Sequence, residues 1–158
     1  MSLDYARALK GERVNLPKPF IRGSKISLIG AISTENVEAA LYGEWSTNGN
    51  IFEHFLEHSL VPKLTSEHIV LMDNVGFHKN ERVREIIEAT GAKVDYLPPY
   101  SPEMNPIELT WSFVKKIIKE LEPRNMKQFA KSLKLALEQI NPQKLVGWFA
   151  HAGYRSTQ

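Results

Sequence analysis

The sequence predicts an α/β fold, a mixed sheet with helices on both faces, and three observations carry that expectation. Two apolar runs, residues 26–33 (ISLIGAIS) and 37–42 (VEAALY), are separated only by residues 34–36, the spacing of an antiparallel pair joined by a short turn. Two more short runs, residues 68–72 (HIVLM) and 93–97 (KVDYL), are each followed by a helical pattern, which gives a β-α-β-α order. The rest of the C-terminal half repeats its apolar residues at helical spacing.

The elements follow in order. Residues 1–25 are basic and broken by Gly11, Pro17, Pro19 and Gly23, so they read mostly as loop. After the two antiparallel strands, residues 47–64 place Ile51, Phe52, Phe55, Leu56 and Leu60 at helical spacing, with Asn48 or Asn50 as the cap. Residues 68–72 suit a buried, parallel strand that ends in Asp73-Asn74. A helix over 80–89 stops near Gly91, and residues 93–97 form the next strand. From Asn105 a helix runs to about Glu120, with Ile107, Trp111, Val114, Ile118 and Leu121 on one face. Shorter helical patterns cover about 126–140 and 142–151. No internal repeat and no low-complexity tract interrupts this order.

The 158 residues suffice for one domain with a real core, and 42% hydrophobic with 24% charged residues is ordinary for a soluble globular protein. There is no Cys, which excludes disulfides and thiolate metal sites. No apolar run reaches the length of a membrane span and the N-terminus has no secretory pattern, so a cytoplasmic protein is expected. The net charge of +2 is unevenly spread: residues 1–33 carry six Lys/Arg and two acids, residues 34–90 four and ten, residues 91–158 ten and six. The basic ends are either solvated surface or a footprint for nucleic acid.

Two carboxylates are singled out by their place in the chain. Asp73 ends a strand, and in open α/β sheets ligands gather beyond the carboxyl ends of parallel strands. Glu108 lies in LPPYSPEMNPIELTW, residues 97–111. Asn105 there is the expected N-cap, Pro106 the first helical residue and Glu108 the closing member of a capping box. Glu108 is therefore a helix cap, a functional carboxylate, or both. The prolines make the connector stiff and extended, which can bring Glu108 close to Asp73. Adjacent carboxylates repel unless a cation sits between them, and hard oxygen ligands suit Mg²⁺ or Mn²⁺. Lys115 and Lys119 share the Glu108 face, within about 20° at 100° per residue. They either guide a phosphate backbone toward the metal or are solvated charges.

VLMDNVGFHK (70–79) followed by LPPYSPEMNPIELTW resembles the catalytic core of transposases of the mariner superfamily, bacterial insertion-sequence type. These belong to the ribonuclease H-like, retroviral-integrase-like polynucleotidyl transferases. The 34 residues between Asp73 and Glu108 match the gap between the second and third acids of that family's catalytic triad. YARALKGERV (5–14), SLIGAIS (27–33) and WFAHAGY (148–154) resemble other family segments, so the likeness spans nearly the whole chain.

The resemblance implies a ribonuclease H-like fold in which residues 1–158 form a truncated DDE endonuclease domain. Asp73 and Glu108 take the second and third catalytic, metal-binding positions. The first Asp belongs on a strand upstream of Tyr5; Asp4 falls in the wrong place, so that acid, its strand and the N-terminal helix-turn-helix region are expected to be missing. Without the strand, either 26–33 and 68–72 become neighbours, or the segment around 11–20 or a partner chain fills the gap. The intact enzyme is expected to hold two Mg²⁺ (or Mn²⁺) ions about 3.5–4 Å apart. Asn74 and His78 match the family's D-N…H pattern and support the site, although His78 also reads as an ordinary exposed residue at a helix start. Lys79, Arg82 and Lys116 are phosphate contacts or plain surface, Tyr100 stacks on a base or packs on the adjacent helix, and Trp111 belongs to the core.

The implied partners are double-stranded DNA, as transposon ends and target, and a second copy in a homodimer. Neither a membrane nor a small-molecule substrate is expected, and the location is cytoplasmic, on the nucleoid. Two functions follow: a DNA transposase catalytic domain, incomplete in this chain, that cleaves and joins transposon-end DNA, or a non-catalytic remnant that binds DNA or another subunit.

Overall fold

The computed structural model describes residues 13–14 and 25–154. The loop reading of the first 24 residues, Asp4 and most of the Tyr5–Val14 element lie outside the described residues.

Strand β1 (Arg13–Val14) pairs antiparallel with the start of β2 (Ile26–Ile32), at Ser27 and Ile26. On its other side β2 pairs antiparallel with β3 (Val37–Gly43) through a turn in which the Ser33 hydroxyl accepts the Glu35 and Asn36 amides. A separate parallel pair joins β4 (Ile69–Met72) to β5 (Lys93–Tyr96). The helices are α1 (Gly49–Phe55), α2 (Glu81–Glu88), α3 (Ile107–Leu121), α4 (Met126–Glu138) and α5 (Pro142–His151).

The sheet around β2 is covered on both faces, because alternate residues point to opposite sides. Ile26 and Leu28 pack with Trp111, Val114 and Ile118 of α3 and Phe129 and Leu133 of α4. Ile29 enters the other cluster with Phe52, Phe55, Leu56, Met72, Val83 and Ile87. Burying each of these large side chains contributes about 1.5–3 kcal/mol. Gly30 permits a close approach of sheet and helix: a Cβ there would lie 2.6 Å from a ring carbon of Trp111.

The mixed sheet is split. Strands 26–32 and 69–72 do not pair, and of the segment around 11–20 the described part, Arg13–Val14, reaches only the first two residues of β2. Between the strands lies a cavity of about 340 Å³, walled by residues 29–34 on one side and 68–73 on the other, with Phe52 and Phe55 from α1 and Ile107 and Trp111 from α3 also in its lining. Among the described residues neither facing edge has a strand partner over that stretch. This explains a departure from expectation. The 68–72 run was expected to be buried, but only Met72 is, and Ile69 is 65% exposed.

Other boundaries differ for local reasons. The helix expected over 47–64 keeps its Asn48 cap but changes winding: α1 passes into a π-helical turn, Leu56–Leu60, and a 3₁₀ turn, Val61–Lys63. Pro62 has no amide hydrogen to return to the His58 carbonyl, so regular α winding cannot run through it. On α3, Leu121 is exposed while Thr110 and Ile117 join the buried face. The helix ends there, with Glu122 in the left-handed region (φ 44°) and Pro123 next.

Candidate metal and nucleic-acid site

Asp73 follows directly on β4 and is buried. Its Oδ1 accepts the Val75 amide at 3.2 Å and lies 2.7 Å from Nδ1 of His78. With Asp73 as a carboxylate, Nδ1 carries the hydrogen. His78 is itself buried, its ring 4.3 Å from that of Phe52, and its carbonyl accepts the Tyr96 hydroxyl from β5 at 2.7 Å. The exposed-residue reading of His78 is therefore wrong. The turn after β4 folds back so that the imidazole fixes the carboxylate.

Glu108 arrives by the proline-stiffened connector. Leu97 is buried and its amide bonds to the Met72 carbonyl at 2.8 Å, which ties the connector to β4. Pro98 and Pro99 lead to Tyr100, then to a 3₁₀ turn over Pro102–Met104. Asn105 is extended (φ −106°, ψ 107°) and its Oδ1 accepts the Ile107 amide at 3.3 Å, while Pro106 is already helical. Asn105 thus caps α3 as expected. The second half of the capping box is not made, because the Asn105 amide gives its hydrogen to the Pro102 carbonyl at 3.0 Å. The cap reading of Glu108 loses its donor to the 3₁₀ turn.

Asp73, Asn74, Asn105 and Glu108 line one cavity of about 10 Å³, together with Leu97, Pro98, Tyr100, Ser101 and Pro102. A space of that size holds about one water-sized particle. The Asn74 Oδ1 is buried there and has no hydrogen-bond partner among the described residues. An orphaned buried oxygen beside two carboxylates is a hard donor set of the kind that suits Mg²⁺ or Mn²⁺. Among the described residues no group of three His, Asp or Glu side chains could hold a metal ion by itself.

The basic residues are not all equivalent. Arg82 is engaged with Glu57 at 3.3 Å and Glu85 at 3.5 Å, so its charge is already matched on the surface of α2. Lys79 is exposed in the turn before α2. Lys115 is half-buried, and Lys116 and Lys119 are exposed, about two to three turns beyond Glu108 on α3. Trp111 lies in the core as expected. Tyr100 does not pack on the helix: it is 95% exposed, with φ at 57°. Its place at the rim of the carboxylate cavity was not legible, since nothing in Pro-Pro-Tyr-Ser-Pro specifies a left-handed residue.

The model of the DDE superfamily endonuclease family matches residues 1–130. Two solved structures of similar fold are the Mos1 strand transfer complex and the Mos1 transposase catalytic domain with raltegravir and Mg. The first has a TM-score of 0.61 at 18% identity, covering 85% of this chain and 45% of that one. The second has a TM-score of 0.50 at 18% identity, covering 87% and 80%. At this identity the likeness shows the fold, the ribonuclease H-like α/β core. The chain spans less than half the length of the Mos1 chain in the strand transfer complex. No curated protein matches it.

Proposed function

The chain belongs to the DDE superfamily endonucleases, and within that family we propose that it is the catalytic-core portion of a mariner-type DNA transposase, acting on transposon-end and target DNA with Mg²⁺ or Mn²⁺. The observation that carries this reading is the shared lining of one ion-sized cavity by Asp73, Glu108 and the orphaned oxygen of Asn74. Divalent ions bound there would supply Lewis-acid polarisation of a phosphate and lower the pKa of a bound nucleophile.

The protein's own contribution is positional. Asp73 and Glu108 offer carboxylate oxygens from two rigid elements, the end of β4 and the first turn of α3. Asn74 adds a neutral oxygen. His78 holds Asp73 in orientation through Nδ1 and keeps water from its buried side, as the ring is sealed by Phe52. Lys79, Lys115, Lys116 and Lys119 draw the phosphate backbone, while Arg82 contributes less because two glutamates compete for it. A homodimer on the nucleoid belongs to the same proposal, since among the described residues the facing edges of β2 and β4 have no strand partner and a second chain can cover them. No helix among the described residues is long and apolar enough to cross a membrane.

A second reading is favoured by one observation, the lack of any three-acid cluster among the described residues. On it, the chain binds DNA or another subunit and by itself cuts very weakly. A nicking assay on inverted-repeat DNA separates the two. Robust cleavage with Mn²⁺ that disappears in Asp73→Asn and Glu108→Gln supports the catalytic reading. Metal-dependent DNA binding without cleavage supports the second. Binding and cleavage both indifferent to these substitutions would refute the site.

A further inference from the structure

Tyr100 is held in a conformation that its own fold does not repay. Its φ of 57° lies in the left-handed region, which is disfavoured for any side chain with a Cβ and is an outlier for a bulky one. Such a residue normally earns its place by packing. Tyr100 is instead 95% exposed, and among the described residues its ring meets no other ring and its hydroxyl makes no hydrogen bond. Glycine or asparagine would satisfy the backbone better. The chain around it is stiffened by proline: Pro99 precedes it, and Pro102 opens the 3₁₀ turn two residues on. Its location is specific, because Tyr100 lines the same cavity as Asp73 and Glu108.

An exposed aromatic face beside a site for phosphate-bound metal has one chemical partner that fits both features, a nucleobase. In a continuous duplex each base has both faces covered by its neighbours, so the partner is a base without a stacking neighbour, at a strand end, nick or overhang. We propose that Tyr100 is a positioning residue that stacks on an unpaired base next to the phosphate held at the Asp73–Glu108 site, and so selects DNA ends over continuous duplex. This rests on the DNA-processing reading given above. Strain stored at an exposed site and released on binding is the expected design for such a contact.

The test uses a DNA duplex with a short single-stranded overhang whose first unpaired base is 2-aminopurine, and a blunt duplex of the same sequence, both with Mn²⁺. Base–aromatic stacking is worth about 1–3 kcal/mol, so Tyr100→Gly should bind the overhang about 5- to 140-fold more weakly. It should no longer quench 2-aminopurine, it should bind blunt duplex as wild type does, and it should melt at a higher temperature because the left-handed strain is gone. Tyr100→Phe should keep the quenching and the affinity. Unchanged overhang affinity and quenching in Tyr100→Gly overturns the proposal, as does an equal loss on both DNAs, which would mean backbone contact. Wild-type protein that binds neither DNA refutes the reading of the site itself and the proposal with it.

Discussion

Gly30→Ala tests the packing that sets the height of α3, and with it the position of Glu108. The added Cβ would stand 2.6 and 2.9 Å from two ring carbons of Trp111 and 3.2 Å from the Ala39 carbonyl oxygen. Carbon–carbon contacts are comfortable at about 3.5–4.0 Å, so the ring or the strand must retreat by about 1 Å. Neither can do so easily. Trp111 is 2% exposed and enclosed by Ile26, Leu28, Val114 and Phe129, and β2 is paired to β3 at Gly30. Overpacking of this kind costs about 1–3 kcal/mol. The backbone of Gly30 is not left-handed, so Ala returns about 0.4–1 kcal/mol through the unfolded state. The net loss of about 1–2 kcal/mol lowers Tm by about 2–8 °C for a chain of this size. Thermal unfolding reads the loss, and a cycle with Trp111→Phe, which makes room, should show coupling of about 0.5–3 kcal/mol. Since Trp111 lies one turn beyond Glu108, Gly30→Ala should also weaken Mn²⁺ binding. A variant as stable as wild type, or a loss identical in the Trp111→Phe background, would refute the packing argument.

Three other outcomes follow from the same geometry. Asn105→Ala should cost about 0.5–2 kcal/mol by removing the cap of α3; a midpoint of urea unfolding equal to wild type would contradict the cap. His78→Ala should cost about 1–3 kcal/mol, since it strips a donor from the buried Asp73 carboxylate, while Lys79→Ala stays within about 0.5 kcal/mol; the contrast is read from denaturation midpoints at constant slope. Tyr154 is held above its ordinary value of 10.0, by burial first and by the charge of Asp95 second. The folded state therefore keeps that proton longer, so its contribution is intact below pH 10 and is lost as pH rises through the folded value. Tyr154→Phe should flatten the decline of stability in alkali, and an unchanged slope would contradict the shift.

Much of the fold was legible because it rests on local chemistry. The 34–36 turn, the Asn48 and Asn105 caps and the stop at Gly91 (φ 88°) each follow from a residue type at one position. The meeting of Asp73 and Glu108 at one cavity was readable for a similar reason: prolines restrict where a connector can go. What was missed depends on tertiary partners. The exposure of Ile69 goes with an edge of β4 that has no strand partner among the described residues, and the change of winding at Leu56–Leu60 with how Pro62 is accommodated in the packed helix. The loss of the capping box came from competition, since a 3₁₀ turn took the amide that Glu108 needed. Burial of His78 depended on Phe52, twenty-six residues away, closing over it.

The central claim is that Asp73 and Glu108 share one divalent cation, and crystals of the chain soaked in Mn²⁺ test it most directly by anomalous scattering. The account predicts a peak in the cavity between the two side chains, about 2.1 Å from an oxygen of each and close to the Asn74 Oδ1, absent from Asp73→Asn crystals. A fully occupied ion elsewhere with none between these carboxylates, or a peak that persists without Asp73, would contradict it.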